Sequence, residues 1–161
     1  MVMFFKRSIF TSAAALLLFA VGAGCLAERI RPPRGVQPQE MEFEVTGYCN
    51  CRKCCSWERS WMGLGPPVVS KGADKGKRKQ VGVTASGTRA KRGTAAADIS
   101  VLPYGTVLEV PGYGYARVED RGGAINGNRL DLWFSSHDEA KRWGRKKVKV
   151  KVWRLNNGRS D

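Results

Sequence analysis

The sequence predicts a mainly β domain: a small closed or nearly closed β-barrel with one short helix, preceded by a signal segment and a tether. Roughly six or seven short stretches of alternating apolar residues are separated by glycine and proline turns. A single helix-capping pattern starts at Ser136. A basic start followed by an apolar run is typical of an exported chain.

Residues 1–24 are predicted to be a signal peptide. Lys6 and Arg7 precede an apolar run over 9–21, which has the length of a signal-peptide core rather than of a membrane span. Ala23-Gly24 before Cys25 is similar to the end of a bacterial lipobox, which predicts lipidation of Cys25 and a membrane anchor. The alternative is ordinary cleavage, for example after Ala27. Either outcome predicts an exported protein of the periplasm or cell envelope.

The proline-rich residues 25–40 are predicted to be a tether between the anchor and the domain. The whole chain has a formal net charge of +14, and loss of Lys6 and Arg7 with the signal peptide leaves +12. This high positive charge on an exported protein predicts negatively charged partners, such as wall polymers or anionic lipids. A nucleic-acid partner would also fit the charge, but the signal segment argues against it, and none is expected.

The domain is predicted to occupy residues 41–154, with a short tail over 155–161. Its first strand alternates Phe43 and Val45 with polar residues and ends near Tyr48, and a long loop is expected over 56–80. Further strands are predicted, in chain order, at 81–84, 94–97, 106–110, 115–119 and 130–134.

The last two elements carry the clearest patterns. A helix is predicted from Ser136, which forms a capping box with Glu139, to Gly144, which ends it. The final strand alternates strictly between valines and lysines from residue 147 to residue 152, so one face is apolar and the other charged.

Four cysteines lie in one short run: Cys49, Cys51, Cys54 and Cys55. In an exported protein an even number first suggests two disulfides. The spacing of Cys51 and Cys54 is also typical of a zinc knuckle, but a structural zinc site usually joins two such pairs, and the sequence has no second pair. Free thiols are the third alternative. No metal or cofactor is therefore assigned, and His137, in the first turn of the predicted helix, is interpreted as a surface residue.

Carboxylates remain as candidates for chemistry, because His137 is the only candidate base for a serine triad and the sequence offers no His/carboxylate ligand set for a metal hydrolase. Asp98 and Asp120 each end a predicted strand. Asp131 lies inside one, between Leu130 and Leu132. Aspartate is disfavoured in strand interiors, which indicates that Asp131 is retained against propensity.

Several of these segments together resemble the three-aspartate (3D) domain family over about residues 41–153. The matching segments are 82–88, 97–98, 102–106, 112–116, 120–125, 129–134 and 143–144, with the final Val/Lys strand. The resemblance implies a double-psi β-barrel of six strands. It also implies a lytic transglycosylase that cleaves the MurNAc–GlcNAc bond of peptidoglycan with formation of a 1,6-anhydro ring, without a cofactor.

The resemblance also implies roles for single residues. Asp131 matches the general acid/base, and Asp98 and Asp120 match two supporting aspartates that would tune and orient it. The residues expected to line the sugar groove, or in the case of Arg121 to meet peptide-stem carboxylates, are Tyr48, Thr84, Arg121, Gly122 and Gly123. The sequence departs from the family pattern at Ile99, Arg121 and Asn126. The alternative function is a non-catalytic, expansin-like module that binds peptidoglycan.

Overall fold

The computed structural model of the protein describes residues 29–154. The predicted signal peptide, the lipidation site Cys25 and the tail over 155–161 lie outside the described residues and stay predictions. Within residues 29–154, no helix is both long enough and apolar enough to cross a membrane.

Six strands form the barrel, and two short strands and two helices are added to it. The barrel strands are β1 (Gln39–Tyr48), β4 (Thr94–Ala97), β5 (Val107–Val110), β6 (Gly114–Asp120), β7 (Arg129–Trp133) and β8 (Lys146–Trp153). The additional elements are β2 (Trp57–Arg59), β3 (Pro67–Val69), α1 (Arg52–Cys55) and α2 (His137–Trp143).

The barrel closes in the strand order β1-β7-β4-β6-β5-β8. Two neighbouring pairs are parallel, β1 with β7 and β4 with β6, and the other pairs are antiparallel. Closure gives each of these strands a hydrogen-bonded neighbour on both sides, so no barrel edge is left open. The predicted closed six-stranded barrel is confirmed.

The core lies inside the barrel and is filled by the apolar side of each alternating strand. Val45, Leu130 and Val150 are fully buried there. Helix α2 covers part of this core with Trp143, whose ring packs against those of Tyr113 and Phe134.

The predicted helix is confirmed at both ends. The backbone N–H of Glu139 donates to the hydroxyl of Ser136 at 3.2 Å, and Gly144 ends the helix with a positive φ of 70°. The Glu139 carboxylate also accepts hydrogen bonds from the N–H and the hydroxyl of Ser135.

Two predictions about the segment before β4 are wrong. Residues 81–84 do not form a strand, because the positive φ of Gly82 and Gly87 breaks the extended backbone and the N–H of Thr84 turns back to the carbonyl of Thr88. Residues 56–80 are not one irregular loop, since β2 and β3 pair within them as a small antiparallel sheet.

Truncation of Leu108 tests the position of the core. Leu108 is fully buried in β5, so Leu108→Ala should lower the free energy of unfolding by about 2–5 kcal/mol. The matched control is Leu64→Ala, because Leu64 is 76% exposed and its loss should change that energy by less than about 0.5 kcal/mol. Urea unfolding followed by circular dichroism measures both, and equal effects would contradict this core.

Candidate active-site cleft

Asp131 lines a cleft on the outside of the barrel. Its neighbours in β7, Leu130 and Leu132, are fully buried in the core, so strand alternation turns Asp131 to the opposite face. Asp131 is in register with Thr46 of β1 on one side and with Ala96 of β4 on the other. Its position inside a strand, against propensity, thus places a carboxyl in the cleft.

The environment of Asp131 favours its protonated form. Burial raises the pKa of this carboxyl to about 6; a hydrogen bond from Thr46 opposes the shift, and the negative charge of Asp120 adds to it. The hydroxyl of Thr46 donates to Oδ1 of Asp131 at 2.8 Å. A carboxyl with this pKa keeps a protonated fraction near neutral pH that an ordinary aspartate lacks.

Asp120, the last residue of β6, has both carboxylate oxygens engaged by neighbouring donors. The hydroxyl of Tyr48 donates to Oδ2 at 3.0 Å. The backbone N–H groups of Ala85 and Arg121 both donate to Oδ1 at 2.9 Å. This carboxylate is therefore held in a fixed orientation.

Strand β4 lies between Asp120 and Asp131 and sets the separation of their backbones. Ala96 pairs with Asp131 on one side and with Asp120 on the other, next to a register shift between Ala95 and Ala96. The Cα atoms of the two aspartates are thus two strand spacings apart, about 10 Å. The small side chain of Ala96 forms the floor between them.

Asp98 does not line the cleft. Its Oδ1 accepts hydrogen bonds from the N–H and the hydroxyl of Ser100, and its Oδ2 accepts one from the N–H of Gly127 at 2.8 Å. These bonds, with the Ser100 hydroxyl contributing most, lower the pKa of Asp98. Asp98 therefore fastens the loop before β7, and the structure brings together only Asp120 and Asp131 of the three aspartates.

The cleft has a volume of about 570 Å³. All five residues predicted to bind substrate line it: Tyr48, Thr84, Arg121, Gly122 and Gly123. Burial, followed by the charge of Asp120, raises the pKa of Tyr48, which therefore stays a neutral hydrogen-bond donor. The hydroxyl of Thr84 is already bonded to the carbonyl of Thr88 at 3.1 Å, so Thr84 shapes the wall.

Six further polar or charged residues that were not singled out from the sequence also line the cleft: Asn50, Ser56, Asp74, Arg78, Lys79 and Gln80. Asn50 is held by two indole N–H groups, from Trp133 to its side-chain oxygen at 2.8 Å and from Trp57 to its carbonyl at 2.9 Å. Its position inside the cysteine run was the one available sequence signal. Arg78 and Lys79 reach the cleft because the segment after β3 turns back to that strand, where Arg78 pairs with Val68 and the N–H of Lys79 donates to the carbonyl of Pro67.

The cysteine run borders the cleft, which Cys54 and Cys55 help to line, and its thiols are free. The Sγ atoms of Cys49 and Cys54 are 3.8 Å apart, well beyond the roughly 2.05 Å of a disulfide. His137, interpreted above as a surface residue, instead joins Cys49, Cys51 and Cys54 in a group of donor atoms suited to a metal ion. The sequence did not indicate this, because the group forms only when the start of α2 packs near the end of β1.

Comparison with known proteins relates the barrel to cell-wall proteins. Over 75 residues the chain is 43% identical to two Bacillus subtilis (strain 168) proteins, YabE, described as cell wall shaping, and YocH, described as cell wall-binding. The match covers 44% of this chain but only 18% of YabE and 26% of YocH. The chain thus spans well under half the length of these relatives.

Solved structures of the lytic transglycosylase MltA from E. coli are also similar. One is 26% identical with a TM-score of 0.37, over 47% of this chain and 29% of MltA. Another, with bound chitohexaose, is 22% identical at the same TM-score, over 47% of this chain and 28% of MltA.

A family model described as "3D domain" matches residues 93–156. The match includes β4 to β8, which is every barrel strand except β1, together with Asp98, Asp120 and Asp131. Over residues 93–156 this chain is therefore similar to the 3D domain family.

Proposed function

We propose that this protein is a lytic transglycosylase of the cell envelope, which cuts the MurNAc–GlcNAc bond of peptidoglycan with Asp131 as general acid/base. The observation that carries the proposal is the Asp131 carboxyl, which lies in a cleft with its pKa raised to about 6. The cell-wall descriptions of YabE and YocH support the choice of substrate.

The proposed reaction uses one carboxyl twice. Protonated Asp131 donates its proton to the glycosidic oxygen, and the bond from that oxygen to the anomeric carbon of MurNAc breaks. The carboxylate then accepts the proton of the MurNAc 6-hydroxyl as that oxygen bonds to the anomeric carbon. The products are a free GlcNAc hydroxyl and a 1,6-anhydro ring, and Asp131 is protonated again.

The arrangement of Asp120 favours this one-carboxyl route over hydrolysis. Hydrolases of the usual kind need a second carboxylate that attacks the sugar or activates a water molecule. Asp120 already accepts three hydrogen bonds, from Tyr48, Ala85 and Arg121. Its charge instead helps to keep Asp131 protonated.

The charge of the cleft wall suits the rest of the proposed substrate. Arg78, Lys79 and Arg121 all line the cleft. Peptidoglycan stems and the lactyl group of MurNAc carry carboxylates, which arginine can bind through two parallel hydrogen bonds. We propose that these cations hold the stem while Asp131 acts on the sugar.

A second candidate function is binding of the glycan strand without cleavage. The description of YocH as cell wall-binding favours it. Both candidates need the same cleft, so the products formed from purified sacculi distinguish them.

The first experiment is removal of the acid. Wild-type protein should release anhydro muropeptides from sacculi, each one water lighter than the hydrolysis product, as identified by mass spectrometry. Asp131→Asn should reduce this release by about 10²–10⁴-fold, because the amide cannot transfer the proton. The variant should remain folded, since the oxygen of the introduced amide would still accept the hydrogen bond from Thr46.

The matched control is Asp138→Asn, an exposed position in the first turn of α2, which should release products at the wild-type rate. Wild-type protein that binds sacculi and releases nothing would overturn the enzyme proposal in favour of wall binding. Unchanged release by Asp131→Asn would remove Asp131 as the acid.

The second experiment is the pH dependence of release at low substrate concentration. Because Asp131 must be protonated, the rate should fall as pH rises through about 6. Thr46→Val removes a hydrogen bond that favours the Asp131 carboxylate and so should raise the pKa of Asp131. The rate of this variant should therefore fall at higher pH than that of wild type. Asp120→Asn removes a negative charge that disfavours the Asp131 carboxylate and so should lower the pKa of Asp131. The rate of this variant should therefore fall at lower pH than that of wild type.

Thr46→Ser is the control for the pH experiment, because it keeps the hydroxyl and should leave the profile in place. Shifts of both variants in the same direction would show that these residues act by disturbing the cleft rather than through the pKa of Asp131.

The raised pKa of Asp131 also makes the stability of the folded chain depend on pH. The pKa of Asp131 is higher in the folded chain than in the unfolded one. The Asp131 carboxyl therefore contributes its full stabilisation below about pH 4 and loses it as pH rises through about 6. Asp131→Asn should therefore gain stability relative to wild type between pH 4 and pH 8, measured by urea unfolding. A constant difference across this range would contradict the raised pKa.

A further inference from the structure

Three cysteines and the histidine converge at the edge of the cleft, which one of them, Cys54, helps to line. None of the four is assigned a part in the proposed reaction. Cys49 follows β1, Cys51 caps α1, Cys54 lies within α1, and His137 begins α2 far along the chain. Their ligand atoms, three Sγ and one imidazole nitrogen, all lie within 4.8 Å of one another. The fold thus gathers a sulfur-rich donor set from two distant segments.

The spacing of these atoms is that of ligands around a common ion. The Sγ atoms of Cys49 and Cys54 are 3.8 Å apart, and Nδ1 of His137 lies 3.5 Å from Cys51 Sγ and 3.4 Å from Cys54 Sγ. Tetrahedral zinc, with bonds of about 2.3 Å to sulfur and 2.0 Å to nitrogen, places two sulfurs about 3.8 Å apart and sulfur and nitrogen about 3.5 Å apart.

The surroundings fit a thiolate site. The backbone N–H of Cys54 donates to Sγ of Cys51 at 3.4 Å, which orients that sulfur toward the group. Three thiolates around Zn²⁺ leave one negative charge, and the exposed cations Arg52 and Lys53 adjoin Cys51 in α1.

We propose that Cys49, Cys51, Cys54 and His137 bind one Zn²⁺. Four protein donors leave no open position on the ion, so the site is structural rather than catalytic. The ion joins the start of α2 to the end of β1. This inference does not depend on whether the cleft cuts glycan.

The proposed ion has a consequence for the cleft. Tyr48 and Asn50 are the chain neighbours of Cys49, and both line the cleft. Tyr48 also donates the hydrogen bond that orients Asp120. By fixing Cys49 and Cys51, the ion holds these two side chains in place.

Cys55 provides a matched control. Its Sγ donates to the carbonyl of Cys49 at 3.1 Å, and it is not a member of the donor group. A serine at this position keeps a donor to the same carbonyl and leaves the proposed ligands intact.

The test is the zinc content and zinc affinity of the full chain, purified without chelators. Wild type and Cys55→Ser should each contain one zinc per chain by plasma mass spectrometry. Cys51→Ser and His137→Ala should bind zinc more than about tenfold more weakly in chelator competition. Co²⁺ in place of zinc should give the intense visible bands of tetrahedral cobalt thiolate in wild type and Cys55→Ser alone.

Thermal unfolding separates loss of the ligand from loss of the fold. Added Zn²⁺ should raise the melting temperature of the metal-stripped wild type and of Cys55→Ser, and leave that of folded His137→Ala nearly unchanged. Two results would overturn the proposal: wild type that holds no zinc after incubation with it, or peptide mass mapping that shows two disulfides within the cysteine run of residues 49–55. Equal zinc loss in Cys55→Ser and Cys51→Ser would overturn the ligand set.

Discussion

The parallel pairing of β1 with β7 is the constraint on which the cleft depends. It sets Thr46 opposite Asp131 and carries the chain on to Tyr48, which lies opposite Trp133 and bonds to Asp120. A slip of one residue would turn Thr46 toward the core and bring a core residue to the cleft face. The flanking ion pair between Glu44 and Arg129 and the burial of Phe43 and Val45 hold this register.

The barrel provides the rigidity that the Asp131 site requires. A buried carboxyl that resists ionisation reduces stability at neutral pH, and the packed core on the other side of β7 offsets this cost. Asp98 shows the opposite case, because hydrogen bonds from Ser100 and Gly127 lower the pKa of its carboxyl. Asp120 accepts hydrogen bonds at both of its carboxylate oxygens. The three aspartates thus lie in three different environments, which is why we propose a different role for each.

Much of the barrel could be predicted from the sequence. Its strands have one solvent-facing and one buried face, so polar and apolar residues alternate along them. The alternation around Val150 and Leu130 and the cap at Ser136 are local patterns, and the structure keeps them. Asp131 could be singled out because it interrupts such a pattern. Three other features could not be predicted, because they depend on contacts between distant segments. They are the turn at Gly82, the position of Asp98 outside the cleft, and the approach of His137 to the cysteines.

The central claim is that the cleft holds the Asp131 carboxyl protonated well above the usual range for aspartate. The most direct measurement is a carbon-13 NMR titration of the aspartate side-chain carboxyls in the folded chain, with the Asp131 signal assigned by its absence from Asp131→Asn. The structure predicts that this signal titrates near pH 6, while that of Asp98 titrates below the usual aspartate value. Titration of Asp131 at about 4, as in an exposed aspartate, would contradict the account.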